Sequence, residues 1–425
     1  MYTFYSLLLA LGALATSPYW LFKAIRQKKY LENFRQRLGW DVPAWDPDSR
    51  PLWIHAVSVG EVLAAKPLLA RLRTEHPRLP VVVSTVTLTG QALARRELAQ
   101  AALHFFFPFD WDFCIEPFLN RLRPRAVLLM ETELWPNFIR KCAERSVPIL
   151  IANGRISDRS VSRYRLVRPI LAQSLSQVSM IAVQSAEYER RFLSLGARTD
   201  QLRVTGNVKF DLPSAASSAG DDSLRKVRAC LGLEAETTTI VIGSSMKGEE
   251  VLFLQAFQKV YRRLPQARLI LAPRHPERFE EVARLIADTG LSFLRRSQTG
   301  SNNPPAVIFL LDTIGELRST YSLAALAVIG GSFLPFGGHN LLEPAALGKA
   351  ILFGPHMHNF REAADLFLQQ QAARQCTSES LADVMVELLA DDQARRLMGE
   401  RALSTFRQNQ GATADTLSAI APYIL

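Results

Sequence analysis

The sequence predicts an α/β protein with two sheets, because short apolar runs alternate with helical patterns twice along its 425 residues. A chain of this length exceeds one ordinary core, so two domains are expected. Continuous apolar strands between helices indicate parallel sheets covered on both faces. A small, polar stretch at 211–224 interrupts the alternation and is interpreted as a linker. The sequence therefore predicts two Rossmann-like halves joined by this linker.

The N-terminus predicts a membrane anchor. Residues 3–22 carry no charge, and twenty apolar-biased residues in a helix would cover about 30 Å, the thickness of the hydrocarbon layer. Six basic residues follow between Lys23 and Arg37, so the positive-inside rule keeps the rest of the chain in the cytoplasm. A cleaved signal peptide is disfavoured because no basic residue precedes the run. A buried or surface-lying amphipathic helix is the alternative to a spanning one.

Charge and cysteine usage narrow the class of protein. The formal net charge of +10 indicates a polyanionic partner, which could be nucleic acid, an anionic membrane or a phosphorylated substrate. The four cysteines stand far apart without a Cys-x-x-Cys pair, so neither a disulfide framework nor a metal site is expected. The predicted domain plan is a transmembrane anchor at 1–22, a basic juxtamembrane segment at 23–45, an N-terminal domain at 46–210, the linker at 211–224, and a C-terminal domain at 225–425.

A glutamate follows the first predicted strand. The strand residues Trp53–Ala56 lead into the segment SVGE, where a helical pattern begins at Glu61. Ligands of such sheets bind outside the carboxyl ends of the strands. Glu61 is therefore a candidate general base whose apolar setting would raise its pKa toward a useful range. The alternative is a favourable acid at a helix N-terminus, worth less than about 1 kcal/mol.

Two more acids end the apolar strand that reads RAVLLM. Glu131 and Glu133 bracket one threonine, and alternation along an extended chain would place both on the same face. They could share a proton, bind a cation or pair with a base. Arg155 and Lys209 are the nearby candidates for such a base, and a purely structural ion pair is the alternative.

Three strand ends in the second half could bind a nucleotide. Ser244 and Ser245 end one strand and free backbone amides for an anion at the next helix start. Arg274 and His275 end another strand and are suited to a phosphate or a base edge. A third loop places Ile314, Gly315 and Glu316 before a helix. No GxGxxG or GxxxxGK[ST] pattern occurs, which disfavours a dinucleotide or P-loop site.

The segment GGSFLPFGGHNLLEPAALG, residues 330–348, forms a polar, glycine-rich loop between two apolar runs. Proline is tolerated in the first turn of a helix, so Pro344 predicts a helix start just before it. Gly337 and Gly338 would free amides for a phosphate, whereas Glu343 would repel one and is expected to face a ribose diol. A capping box formed by Asn340 and Glu343 fits the spacing equally well.

Six segments together resemble the Kdo transferases, the 3-deoxy-D-manno-octulosonate transferases of lipid A assembly. They read SVGEV, METELWPN, NGRIS, GNVKFD, APRHPERF and GGSFLPFGGHNLLEPAALG. The resemblance runs from the N-terminal anchor almost to the C-terminus. It implies the GT-B fold, with two Rossmann-like domains that face each other across a cleft, the acceptor in the N-terminal half and CMP-Kdo in the C-terminal half. It also implies an inverting reaction, in which a lipid hydroxyl attacks the anomeric carbon and CMP leaves.

The resemblance implies a role for each matching residue. Glu61 matches the proton acceptor, and Glu131 and Lys209 match positions that stabilise the transition state. The matching CMP-binding residues are Pro273, Arg274, Ile314, Gly315, Glu316, Asn340, Leu341, Leu342 and Glu343. No cofactor and no metal is implied, since CMP-Kdo is itself the donor substrate. The implied partners are CMP-Kdo, lipid IVA or a related acylated, phosphorylated disaccharide, and the anionic surface of the bacterial inner membrane, but no nucleic acid.

Two other functions are weighed against this one. A nucleotide-sugar epimerase of the GT-B fold would share the C-terminal nucleotide signature but needs no lipid acceptor, so residues 3–40 count against it. A non-catalytic, membrane-tethered binding protein would fit the basic charge but would leave the carboxylates and glycines at the strand ends without a purpose.

Overall fold

The computed structural model describes residues 2–26, 29–46, 48–156, 164, 167–211, 228, 238–298 and 305–425. The chain forms two compact units. Unit 1 comprises Met1–Leu212 and Asn409–Leu425, and unit 2 comprises Pro213–Gln408. The prediction that one C-terminal domain runs over 225–425 is therefore wrong for its last 17 residues. Nearly all of the predicted linker lies outside the described residues.

Unit 1 is built on a parallel sheet with the strand order β3-β2-β1-β4-β5-β6-β7. Every residue of β1, β2, β4, β5 and β6 is buried, as expected for continuous apolar strands covered by helices on both faces. The strands are β1 (Leu52–His55), β2 (Val81–Thr85), β3 (Leu103–Phe106), β4 (Ala126–Met130), β5 (Ile149–Gly154), β6 (Met180–Val183) and β7 (Leu202–Val204).

The helices of unit 1 connect these strands. They are α1 (Tyr2–Arg26), α2 (Lys29–Arg37), α3 (Val59–Glu75), α4 (Leu88–Glu97), α5 (Asp112–Leu122), α6 (Pro136–Glu144), α7 (Arg168–Ser176) and α8 (Ala186–Leu195). A single 3-10 turn, Val208–Phe210, follows β7 and carries Lys209.

Unit 2 repeats the plan with the strand order β10-β11-β9-β8-β12-β13-β14, again parallel throughout the pairs described. Its strands are β8 (Thr238–Ser245), β9 (Ala267–Pro273), β10 (Phe293–Arg295), β11 (Ile308–Leu310), β12 (Leu326–Ile329), β13 (Ala350–Phe353) and β14 (Arg374–Gln375). Its helices are α9 (Glu249–Arg263), α10 (Phe279–Ala287), α11 (Leu317–Thr320), α12 (Leu342–Ala346), α13 (Arg361–Gln369), α14 (Leu381–Ala390) and α15 (Asp392–Gln408).

Each sheet has one point at which the strand order reverses. In unit 1 this point lies between β1 and β4, and in unit 2 it lies between β8 and β12. Helices leave in opposite directions there, so a crevice opens at the carboxyl ends of the two central strands, where ligands of open α/β sheets bind. The crevice of unit 1 is bordered by the segments that carry Glu61 and Glu131, and that of unit 2 by Ser244 and the glycine-rich loop.

The predicted transmembrane anchor is not supported. Within the described residues, no helix combines the length and the apolar character that crossing a membrane requires. The start of α1 instead packs on unit 1 through polar contacts: the Tyr2 hydroxyl donates to Gln177 Oε1 at 3.3 Å, and Asn137 Nδ2 donates to Ser6 Oγ at 2.9 Å. Burial, with the carboxylate of Asp110 nearby, raises the pKa of Tyr5. These side chains share one face of α1.

The final helix, α16 (Ala412–Ile424), returns to unit 1. The Asp211 carboxylate accepts hydrogen bonds from the backbone N–H groups of Gly411 and Thr413, at 2.7 and 2.5 Å, and so caps the start of α16. Leu417, Ile420 and other buried side chains of α16 join the core cluster that includes the buried face of α3. The helix that carries Glu61 is therefore supported by residues more than 350 positions later in the chain.

Candidate active site

Glu61 lies in the first turn of α3 and is 6% exposed. Its Oε2 accepts a hydrogen bond from the backbone N–H of Val57 at 2.8 Å, and its Oε1 accepts one from the Ser58 hydroxyl at 2.8 Å. Burial raises the pKa of Glu61 to about 7, although both hydrogen bonds oppose the rise. A carboxylate with a pKa near the working pH is suited to taking a proton from a neutral hydroxyl.

Glu131 follows β4 and is held between two cations. Lys209 Nζ lies 3.0 Å from Oε1, and Arg155 Nε lies 2.6 Å from Oε2. Burial acts to raise the pKa of Glu131, but the charges and hydrogen bonds of Lys209 and Arg155 outweigh it, so the pKa is lowered. Both bases anticipated as partners of the acidic segment thus bind the same carboxylate. The backbone of Glu131 is left-handed, with φ of 57°, a strained conformation typical of functional positions.

The position of Lys209 is fixed by two asparagines. Asn153, fully buried and itself left-handed with φ of 59°, accepts a hydrogen bond from the backbone N–H of Val208 at 3.1 Å. Asn207 Oδ1 accepts one from the backbone N–H of Lys209 at 3.0 Å. The end of β5 therefore holds the turn that presents the lysine to Glu131.

Glu133 has the most strongly raised pKa of the three acids. Burial raises it to about 8, and the negative charges of Glu61 and Glu131 add to the rise. Glu131 is thus ionised and paired, Glu61 titrates near neutrality, and Glu133 holds its proton at pH 7. Of the options left open by the sequence, pairing with a base therefore applies to Glu131.

In unit 2, the charges of Arg274 and His275 act on a further residue, His339, and that of Arg274 acts on Glu343 as well. The positive charges of Arg274 and His275 add to burial in lowering the pKa of His339 to about 4. Burial raises the pKa of Glu343, and the charges of Arg318 and Arg274 oppose this rise. Glu343 therefore lies within the electrostatic reach of two guanidinium groups, and its contact with a ribose diol stays a prediction.

The start of α12 is organised by Asn340. Its Oδ1 accepts a hydrogen bond from the backbone N–H of Leu342 at 3.0 Å, and its Nδ2 donates to Glu343 Oε1 at 3.3 Å. The capping function anticipated for the pair is therefore present, although in a different pattern from a capping box. Leu341 and Leu342 are buried, at 0% and 1% exposure, and the N–H of Leu342 is already bonded to Asn340.

The buried side chain of Glu249 holds the glycine-rich loop in place through hydrogen bonds. This fully buried carboxylate accepts hydrogen bonds from the backbone N–H groups of Gly331, at 2.6 Å, and Phe333, at 2.9 Å. The N–H of Gly338 donates to the Gly331 carbonyl at 2.7 Å. A side chain at Gly338 would collide with Met357, and one at Gly337 would collide with Asn359. Gly337 and Gly338 thus permit close packing, and the Gly338 amide is not available to a phosphate.

The other residues predicted to bind the nucleotide fall into two groups: some already bond within the fold, and others are exposed. The Ser245 hydroxyl is buried and donates to Glu250 at 2.9 Å, so it is also committed within the fold. Glu316 pairs with Arg296 at 2.9 Å. Ile314, in contrast, is 74% exposed on its loop, and Gly315 beside it has φ of 93°. Pro273 ends β9.

Comparisons with known proteins identify the family of this chain. The family model described as 3-Deoxy-D-manno-octulosonic-acid transferase (kdotransferase) matches residues 32–212. The 3-deoxy-D-manno-octulosonic acid transferase of Haemophilus influenzae is 33% identical over 404 residues, which cover 94% of this chain and 93% of that protein. The chain belongs to this transferase family. It is accordingly a glycosyltransferase.

Two solved structures of more distant proteins share the fold of this chain. A glycosyltransferase from Rickettsia africae superimposes with a TM-score of 0.57 at 14% identity, covering 88% of this chain and 98% of that one. The UDP-GlcNAc 2-epimerase of Neisseria meningitidis gives 0.50 at 12% identity, covering 84% and 98%. These likenesses support the GT-B type of fold and carry no information about the reaction.

Four residues near the site were not predicted from the sequence: Ser58, Asn153, Glu249 and His339. The Ser-x-x-Glu spacing could have drawn attention to Ser58, because it is the spacing of a capping box. The other three have no local signal. Each acts through a contact with a residue on another element, such as the 82 positions that separate Glu249 from Gly331.

Proposed function

We propose that this protein transfers Kdo from CMP-Kdo to lipid IVA, or to a related acylated and phosphorylated disaccharide, with inversion at the anomeric carbon. The observation that carries the proposal is Glu61, a buried carboxylate with a pKa of about 7 at the strand-order reversal of unit 1. A sugar hydroxyl is neutral until it attacks, and a base of this strength removes its proton as the new bond forms.

Glu131 and Lys209 support the reaction electrostatically. Lys209 is mostly buried, with 18% of its side chain exposed, so its positive charge is poorly screened by water and interacts strongly with nearby charges. Glu131 and Arg155 fix the direction in which this charge points. We assign Lys209 to the charge that develops around the reacting centre and Glu131 to holding the lysine in place.

Unit 2 supplies the donor site of the proposal. CMP-Kdo carries a phosphate and a carboxylate, and Arg274, Arg318 and His275 are the basic side chains around Glu343 and His339. The exposed face of Ile314 is suited to a flat base. The donor brings its own leaving group, so the proposal includes no separate cofactor.

We also propose that the protein works at the cytoplasmic surface of the inner membrane, where its lipid acceptor lies. The support is a row of exposed apolar side chains on α1, opposite the face that packs on unit 1: Phe4, Leu7, Leu8, Leu11 and Leu14. Such a face suits an interfacial helix. The basic segment contributes less than its composition indicates, because Arg35 pairs with Asp41 at 2.8 Å and the half-buried Arg37 packs over the Phe109 ring.

The test is transfer by a Glu61→Gln variant. Purified protein is incubated with CMP-Kdo and lipid IVA, and the added sugars are counted by mass. Glutamine keeps the size of the side chain but cannot take a proton, so we expect transfer to fall at least a hundredfold. CMP binding, measured by calorimetry, should be unchanged.

Glu75→Gln is the matched control, because Glu75 lies on the same helix but is exposed and pairs with Arg71. It should leave transfer unchanged. Full transfer by Glu61→Gln would remove Glu61 from the role of base. Absence of transfer by the unsubstituted protein, with CMP still bound, would favour the non-catalytic binding protein.

A further inference from the structure

Ser58 occupies the N-cap position of α3, yet its side chain does not cap the helix. An N-cap serine ordinarily accepts a hydrogen bond from a backbone N–H two or three residues later. Here the hydroxyl instead donates its proton to Glu61 Oε1 at 2.8 Å. The sequence pattern of a capping box is therefore present, but its serine is turned toward the carboxylate.

Hydrogen bonds from the segment just before the helix define the direction of the Glu61 carboxylate. Val57 N–H binds Oε2 and the Ser58 hydroxyl binds Oε1, and the backbone N–H of Ser58 also lowers the pKa of the carboxyl. The two backbone donors persist in every substitution except proline, which lacks the N–H group. The hydroxyl of Ser58 is the one side-chain donor among them, so a substitution can delete it without changing the backbone.

The segment itself is held in place by its neighbours. A side chain at Gly90 would lie 3.2 Å from the Val57 carbonyl, so the start of α4 packs closely against it. The Ser58 carbonyl accepts the first hydrogen bond of α3, from Val62 N–H at 3.0 Å. The backbone of Ser58 is thereby fixed, and its hydroxyl reaches Glu61 without rearrangement.

We propose that Ser58 is a positioning residue for the base: its hydroxyl holds the Glu61 carboxylate in one orientation and stabilises its ionised form. The inference rests on the proposed role of Glu61. Ser58 does not touch the reacting atoms and acts through the carboxylate alone. Once Glu61 has taken the proton of the acceptor hydroxyl, the same hydrogen bond is weaker, because its acceptor is no longer charged.

The charged surroundings of Glu61 determine what loss of the hydroxyl does. Glu131, whose charge raises the pKa of Glu61, comes from the end of β4 and is neutralised by Lys209 and Arg155. Glu133, from the same loop, is protonated at pH 7. Of the side chains, Ser58 is the one that lowers the pKa of Glu61 by a hydrogen bond, so removing it raises that pKa.

The test compares pH profiles of kcat/KM for Ser58→Ala, Ser58→Gly and Ser58→Thr on identical substrates. The acidic limb should move up by about one pH unit in the alanine and glycine variants, with activity recovered at high pH. Threonine retains a hydroxyl and should keep the limb of the unsubstituted protein. The KM for CMP-Kdo should be unchanged in all three.

Glycine and alanine separate positioning from helix capping. Glycine is a far better N-cap residue than alanine, so a structural effect would appear in alanine and be small in glycine. A limb that shifts equally in both supports the proposal, and a limb that stays in place in both overturns it. A threonine variant that shifts like alanine also overturns it. Glu61→Gln with full activity would instead overturn the proposed function, so the two failures are distinct.

Discussion

Three acidic side chains of unit 1 differ in charge at neutral pH, although each alters the pKa of another. Glu131 is ionised because two cations bind it, Glu61 titrates near pH 7, and Glu133 keeps its proton because it is half-buried and its neighbours are acids. Mutual repulsion of this kind pushes pKa values apart and gives acids of one type different functions. The neutral form of Glu133 leaves Glu61 free of a second negative charge.

Glu133→Gln is expected to stabilise the protein at high pH. The pKa of Glu133 is 4.5 in its ordinary state and about 8 in the fold, so between these values the folded protein holds a proton that the unfolded chain has lost. Stability therefore falls as the pH rises from 4.5 to 8. Glutamine cannot ionise and removes this loss, a gain of at most about 5 kcal/mol above pH 8 and none below pH 4.

Urea unfolding of both proteins at pH 4, 6 and 8 measures this difference. Glu116→Gln is the control, because Glu116 is an exposed acid that pairs with Lys141. A difference between Glu133→Gln and the unsubstituted protein that does not grow with pH would contradict the raised pKa of Glu133.

At the scale of elements, α1 has a polar face that packs on the rest of unit 1 and an apolar face that is exposed. The face with Tyr2, Tyr5 and Ser6 binds unit 1, and the opposite face exposes leucines, among them Leu7 and Leu11 at 56% and 54%. The helix is thus fixed to the fold by polar groups while its apolar groups remain available.

Substituting Leu7 and Leu11 together by asparagine should weaken binding to vesicles of anionic phospholipid by at least tenfold, because each leucine contributes about 1.5–3 kcal/mol when buried. Co-sedimentation with the vesicles measures the loss. Ala13→Asn is the control, since Ala13 is exposed on another face of α1. Equal losses in the control and the double variant would show that this face does not contact lipid.

The local pattern of apolar residues was enough to predict most of the strands. Thirteen of the described strands coincide with apolar runs in the sequence, and the missing one, β14, has only two residues, Arg374 and Gln375. The candidate acids and Lys209 were found because they directly follow strands or motifs. The Gly338 amide was assigned wrongly to a phosphate, because a sequence does not show that the fold already uses this donor in a bond to Gly331. The return of α16 to unit 1 was not predicted either, because the partner of a C-terminal helix is not visible in its local sequence.

At the scale of the whole molecule, α16 makes unit 1 depend on the last residues of the chain. Ile420 is fully buried in the cluster that includes α3. Ile420→Ala should destabilise unit 1 by about 2–5 kcal/mol, the cost of a cavity in a packed core, and leave unit 2 unchanged. Hydrogen exchange followed by mass spectrometry distinguishes the units. Ser418→Ala, at an exposed position of the same helix, should change neither, and equal protection of unit 1 in both variants would contradict the role of α16.

The return of α16 means that unit 2 is an insertion within unit 1, since residues on both sides of it belong to the same core. Domains generally fold as units in the order in which they leave the ribosome. Here the order is reversed: all of unit 2 is synthesised before α16, which completes unit 1. During synthesis the core face of α3 has no partner from α16, and the cap that Asp211 provides has no helix to bind. Unit 1, which carries Glu61, is therefore complete only after residues 412–424 have been translated.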